Sequence, residues 1–152
     1  MSEAGGPPPE TPVRVPAILI VEDEALIRLT LSDYLQDQGF KVLEAATGDE
    51  ALGVMAAPGF TVDVVFTDVM MPGVTDGFAL AKWMGENHPD IPVIVTSGDA
   101  EKMANAPDLG GGCRFVPKPY ELDAIAEQIR QALKQRSTSL VHAHVIGTYP
   151  DG

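Results

Sequence analysis

Apolar positions along the chain switch period at regular intervals. Ala17-Ile18-Leu19-Ile20-Val21 is an unbroken apolar run that stops at three carboxylates, Glu22-Asp23-Glu24. A run without polar alternation predicts a strand buried on both faces, as a parallel sheet covered by helices requires. After it, Leu26, Ile27, Leu31, Tyr34 and Leu35 recur at helical spacing, and Gly39 stands where a helix would stop. The alternation then repeats. Phe40 to Ala45 predicts a short strand, and Thr47 is placed to cap a helix over Gly48 to Ala57 that Pro58-Gly59 ends. Val62 to Thr67 predicts a third strand ending at Asp68, and a Pro/Gly loop leads to a helix over Gly77 to Asn87. Ile91 to Thr96 predicts a fourth strand and Arg114 to Val116 a short fifth. A last helix is expected from Glu121 to Gln135, with Leu122, Ile125, Ala126, Ile129 and Leu133 along one face. Five βα units with short, right-handed connections imply an α/β fold: a doubly wound five-stranded parallel sheet in three layers, α/β/α.

Between Ser97 and Cys113 the pattern weakens. Pro107 and Gly110-Gly111-Gly112 are poor helix material, so a short or irregular fourth helix is expected, over Ala100 to Ala106. The ends differ from the middle as well. Five prolines within the first sixteen residues predict a flexible Pro/Gly-rich tail over 1–16. The domain is then expected over 17–136, with a second flexible tail over 137–152.

Composition narrows the partners. A chain of 152 residues with 45% hydrophobic positions suits one packed domain. Lys+Arg 10 against Asp+Glu 22 gives a net charge of −12, which argues against nucleic acid and anionic membrane surfaces, since both recruit cations. The single cysteine, Cys113, excludes an internal disulfide. With no secretory signal and no apolar span, a cytoplasmic protein is expected.

In a doubly wound sheet, ligands bind beyond the carboxyl ends of the strands. Those ends carry Glu22 and Asp23, then Asp68, then Ser97 beside Gly98, then Lys118-Pro119. Three convergent carboxylates repel one another, so a hard divalent cation is their natural neutraliser; oxygen ligands favour Mg2+, with Mn2+ as a substitute. Lys118 adds a positive charge and Ser97 a hydroxyl, the combination that holds phosphoryl oxygens. Asp68 is the carboxylate best placed to act as a nucleophile.

In these segments the sequence resembles the receiver domains of two-component response regulators, over about Pro16 to Arg136. Ile18-Leu19-Ile20-Val21-Glu22-Asp23-Glu24 is similar to the family's first strand with its acidic pair, and Asp68-Val69-Met70-Met71-Pro72-Gly73 to its phosphoacceptor strand end and loop. Pro92-Val93-Ile94-Val95-Thr96-Ser97-Gly98 resembles the fourth strand with its switch hydroxyl, and Val116-Pro117-Lys118-Pro119-Tyr120 the Lys-Pro-aromatic signature. The resemblance implies a flavodoxin-like (βα)5 fold. It implies that Asp68 accepts a phosphoryl group from a phosphohistidine, and that Mg2+ is held by Asp23, Asp68 and the Met70 backbone carbonyl, with Glu22 acting through water. Counting five residues from Pro92 places the switch hydroxyl at Ser97, with Thr96 as the alternative one residue earlier. Phe115, three residues before Lys118, falls where the family carries an aromatic that swings inward. The implied partners are a sensor histidine kinase or histidine phosphotransferase and an unknown downstream protein.

The loop from Asp68 to Gly77 is one residue longer than the commonest family form, which leaves the placement of Asp76 open. With about 120 residues given to the domain, the expectation is a stand-alone regulator that signals by protein contact, relays phosphate or stores it, and does not turn over external substrates. Two other readings remain. A phosphatase or phosphotransferase working through an aspartyl phosphate would want a general acid two residues after the nucleophile, where this chain has Met70. A flavin- or nucleotide-binding protein of the same architecture would want a Gly-rich loop after the first strand, where Glu22-Asp23-Glu24 stands.

Overall fold

The uninterrupted apolar runs become the middle of the sheet. In the computed structural model, which describes residues 14–104 and 113–147, five parallel strands alternate with five helices. In chain order these are β1 (Ala17–Val21), α1 (Ala25–Asp37), β2 (Lys41–Ala45), α2 (Gly48–Ala56), β3 (Val64–Asp68), α3 (Gly77–Asn87), β4 (Val93–Ser97), α4 (Ala100–Ala104), β5 (Cys113–Pro117) and α5 (Leu122–Gly147). The strands lie in the order β2-β1-β3-β4-β5, so the winding reverses between β1 and β3. That is the flavodoxin-like order, and its reversal opens a crevice at the carboxyl ends of those two strands.

Every residue of β1, β3 and β4 is buried, which explains why these strands show no polar alternation. Side chains alternate between two cores. Leu19, Val21, Val65, Val93 and Val95 meet Ala51 of α2 and Leu80, Ala81 and Met84 of α3. Ile18, Ile20, Val64, Phe66 and Ile94 meet Leu31 and Leu35 of α1 and Ile125, Ala126 and Ile129 of α5. Each such large aliphatic side chain contributes on the order of 1.5–3 kcal/mol when fully buried.

Local signals set the helix ends. Thr47 Oγ1 accepts from Glu50 N at 3.0 Å while Glu50 Oε1 reaches back to Ala46 N at 2.8 Å, a reciprocal cap at the start of α2. Asp76 Oδ1 accepts from Ala79 N at 2.8 Å and caps α3, which gives Asp76 its place in the lengthened loop. Gly39, at φ +98°, closes α1: its N–H donates to Gln36 O and Phe40 N to Leu35 O, a Schellman motif.

Two boundaries depart from the sequence reading. Arg14 to Pro16 fall within the segment expected as a flexible tail, yet they are tied to the fold. Arg14 forks onto both oxygens of buried Asp63 at 2.8 and 2.7 Å, and the Pro16 carbonyl accepts from Lys41 N at 2.9 Å. Local composition carries no sign of a pairing with a carboxylate far along the chain. At the other end α5 continues to Gly147 instead of stopping at Gln135, so the expected flexible tail over 137–152 is helical through Gly147. Ser137, Thr138 and Ser139 read as loop residues, but no proline or glycine interrupts 136–146, and each hydroxyl residue costs a helix no more than about 0.7 kcal/mol. Residues 1–13 and 148–152 of the two expected tails lie outside the described residues. So do residues 105–112, which include Pro107, the three glycines and the last two positions of the expected fourth helix. No helix among the described residues is long and apolar enough to cross a membrane.

Candidate functional site

The crevice at the reversal point collects the acidic residues. Glu22 follows directly on β1, with Asp23 beside it, and Asp68 is the last residue of β3. Carboxylate oxygens from all three lie within 4.8 Å of one another. Glu22 is 1% exposed and Asp68 7%, whereas Asp23 faces solvent. At an effective dielectric of about 20, two unit charges at such a spacing repel by about 3.5 kcal/mol. The Glu22 carboxyl is pushed up to about 6, chiefly by burial and to a lesser degree by the negative charge of Asp68, against the opposing pull of the Glu24 N–H and the Lys118 ammonium.

Asp68 is held at both oxygens. Lys118 Nζ lies 3.0 Å from Oδ2, and Met70 N donates to Oδ1 at 3.3 Å. Lys118 is the first residue after β5, and its own N–H donates to Ser97 O at 3.0 Å, which fixes Lys118 to the end of β4. The Lys118-Pro119 peptide is cis. Glycine is required where α3 begins: a Cβ on Gly77 would lie 2.2 Å from Asp68 O, so the start of the helix rests on the backbone that carries the central carboxylate.

Ser97 and Thr96 differ in environment. Ser97 is 2% exposed, and its Oγ accepts from Asp99 N at 3.0 Å. That uses acceptor capacity and leaves the hydroxyl proton available for donation. Thr96 is fully buried, and its Oγ1 has no hydrogen-bond partner among the described residues. Phe115 lies apart from the acidic cluster, 42% exposed on β5, with its ring edge-on to Phe78 of α3 at 6.4 Å. The structure thus brings Glu22, Asp23, Asp68 and Lys118 together, adds Met70 through its amide, sets Ser97 next to Lys118 through the backbone, and leaves Phe115 outside.

Two features are not legible in the motifs, and the surroundings of a third, the aromatic of the Lys-Pro signature, are seen only in the fold. Arg28, on the first turn of α1, donates to Glu22 O at 2.7 Å; it lies on the same helix as the apolar stripe and carries no signal of its own. Thr75 Oγ1 donates to Asp49 Oδ1 at 2.8 Å, docking the lengthened loop on α2. Tyr120 sits edge-on to Phe66, its hydroxyl pushed up to about 12 by burial and by the charges of Glu22 and Asp68. Beside Lys118, a recess of about 660 Å³ runs between α1 and the β5–α5 connection, lined by Leu26, Ile27, Thr30, Pro119, Tyr120 and Leu122 among others.

The donor set fits a hard divalent cation. It offers carboxylate oxygens from two adjacent strand ends, with Glu22 and Asp68 both buried and each held by a backbone N–H, and an ammonium on Asp68 to balance part of the charge.

Comparison with known proteins agrees with this geometry. Residues 18–130 match the family described as "Response regulator receiver domain". The sensor kinase CckA of Brucella abortus is 40% identical over 121 residues, covering 78% of this chain and 13% of that protein. The response regulator TrrA from Thermotoga maritima, solved in complex with Mg2+ and BeF, is 26% identical with a TM-score of 0.70, over 78% of this chain and 100% of that one. A response regulator receiver protein from Sinorhizobium medicae is 27% identical with a TM-score of 0.71, over 82% and 99%. The chain spans between 13% and 31% of the length of curated relatives such as CckA and a cyclic di-GMP phosphodiesterase of Thermotoga maritima.

Proposed function

The chain belongs to the response regulator receiver domain family, and on that premise we propose that Asp68 accepts a phosphoryl group from the phosphohistidine of a sensor histidine kinase or histidine phosphotransferase. The observation that carries this reading is the arrangement around Asp68: a carboxylate at the bottom of a crevice, with an ammonium at 3.0 Å on one oxygen and two further carboxylates within 4.8 Å. Asp68 Oδ attacks phosphorus, the P–N bond to the donor imidazole breaks, and the imidazole leaves with its electron pair, to be protonated from water. Glu22, Asp23, Asp68 and the Met70 carbonyl are the groups that would hold Mg2+, with Glu22 acting through water. When bound, the cation offsets the carboxylate charge that otherwise repels the incoming phosphoryl oxygens.

Lys118 turns from the Asp68 carboxylate to a phosphoryl oxygen, and Ser97 donates its free proton to another. Both shifts draw the ends of β4 and β5 inward, and Phe115 leaves Phe78 to follow them. Phosphorylation adds roughly −1.5 to −2 of charge and several strong acceptors, which biases two arrangements of this edge rather than creating a new one. A protein delivering phosphohistidine to Asp68 has to abut the crevice. Leu26, 78% exposed beside the apolar recess, supplies surface for that contact.

The output is a phosphorylation-dependent contact with a downstream protein, or onward transfer or storage of the phosphoryl group, in the cytoplasm and without turnover of external substrates. The phosphatase reading is disfavoured by Met70, an exposed thioether with no proton to give at the position such chemistry needs. Incubation with Mg2+ and acetyl phosphate followed by intact mass tests the proposal. Wild type gains one phosphoryl group, and neither the EDTA-treated protein nor Asp68→Asn gains any. Equal labelling with and without the cation would refute it.

A further inference from the structure

Glu22 is held on three sides. Its N–H donates to Ala45 O at 3.0 Å, its Oε2 accepts from Glu24 N at 3.0 Å, and its carbonyl accepts from Arg28 at 2.7 Å. Arg28 is anchored in turn. Its Nε lies 3.2 Å from Glu44 Oε1 on β2, one residue before the Ala45 whose carbonyl receives the Glu22 N–H. The contacts close a ring running Glu22, Ala45, Glu44, Arg28 and back to Glu22. The peptide joining Glu22 to Asp23 is part of that ring, so the direction in which the two acidic side chains leave the backbone depends on it.

We propose that Arg28 is a positioning residue for the acidic pair: by bridging the Glu22 carbonyl and the Glu44 carboxylate it aims Glu22 and Asp23 at Asp68, and so sets the affinity of the crevice for a divalent cation. The inference rests on the reading that these carboxylates hold such a cation. Guanidinium chemistry suits the task, because Nε and the terminal nitrogens point to different acceptors from one rigid plane, which a lysine ammonium cannot reproduce. The Arg28 side chain is 19% exposed and that of Glu44 34%, so the contact with the Glu22 carbonyl is half-buried while the Glu44 end of the bridge reaches water.

Charge and position predict opposite signs here. A guanidinium close to three carboxylates lowers the local negative potential, so if charge alone mattered, Arg28→Gln would tighten cation binding and Arg28→Lys would leave it unchanged. If Arg28 positions the pair, both substitutions weaken binding.

The experiment titrates Mn2+ into the full chain and reads free Mn2+ by electron paramagnetic resonance for wild type, Asp23→Asn, Arg28→Gln and Arg28→Lys. Thermal unfolding and amide exchange at Glu24 are followed without metal. About tenfold weaker binding is expected for Arg28→Gln, the low end of the effect of groups that orient metal ligands without touching the ion. A smaller loss is expected for Arg28→Lys, which keeps the charge and the helix propensity, and Glu24 N–H should exchange faster in both. Unchanged or tighter Mn2+ binding in Arg28→Gln overturns the proposal, even if its melting temperature falls. Wild type that binds Mn2+ no better than Asp23→Asn overturns the cation site itself, and the role of Arg28 with it.

Discussion

Lys118 Nζ and Asp68 Oδ2 lie 3.0 Å apart at the ends of strands that are not neighbours in the sheet, β5 and β3, with β4 between them. Only the convergence of strand ends brings them together. The ammonium balances one of three carboxylates and is the one cationic side chain the structure sets on Asp68 among the described residues. Lys118→Ala is therefore expected to fold but to slow labelling by acetyl phosphate by about 100-fold, the scale seen on removing one preorganised charge-stabilising donor. Labelling time courses by intact mass check this.

Glu22 gives a pH dependence with a definite sign. Its carboxyl is raised to about 6, above the ordinary value of 4.5, so the folded protein binds the proton more tightly than the unfolded chain. The stabilisation is fully present below the unfolded value and is lost as pH rises through about 6. In EDTA the melting temperature should fall across pH 4.5 to 6 relative to Glu22→Gln, which removes this titration. Cation affinity should move the other way, rising over the same interval as the carboxylate forms.

The two hydroxyls at the end of β4 separate cleanly. Thr96 Oγ1 is buried without a partner among the described residues, so Thr96→Val should be neutral or stabilising by up to about 1 kcal/mol and should leave labelling unchanged. Ser97→Ala should still accept phosphate at Asp68. It should lose the phosphorylation-dependent change in amide exchange over β4 and β5. Urea unfolding and exchange with and without acetyl phosphate distinguish them.

Gly77 supports Asp68 from behind. A Cβ there would lie 2.2 Å from Asp68 O and 2.7 Å from Val69 Cα, both backbone atoms that cannot turn aside. Gly77→Ala should destabilise the fold by about 1–3 kcal/mol through displacement of α3, and should reduce labelling as well. Chemical denaturation read alongside labelling tests the pairing of the two losses.

Much of this was legible in the chain because burial on both faces leaves a distinctive trace. β1, β3 and β4 stand out as unbroken apolar runs, and each ends at a residue that the crevice uses or adjoins, Glu22, Asp68 or Ser97. The helix start capped by Thr47 was equally visible, since a cap acts within three residues, whereas Asp76, which caps α3, was left unplaced by its longer loop. What escaped depends on distance or on missing punctuation. Arg14 meets Asp63 across 49 residues, and Arg28 reaches Glu44 on a neighbouring strand, pairings that no local pattern encodes. The continuation of α5 past Gln135 has no stop signal to mark where it ends before Gly147.

The claim on which the account turns is that Asp68 carries the phosphoryl group. Borohydride reduction of the protein labelled with acetyl phosphate and Mg2+ converts an aspartyl phosphate to homoserine, and peptide mapping by tandem mass spectrometry then locates it. The account predicts homoserine at position 68, with Glu22, Asp23 and the other carboxylates unmodified. Homoserine at position 23 or elsewhere, or the same extent of labelling in Asp68→Asn, would contradict it.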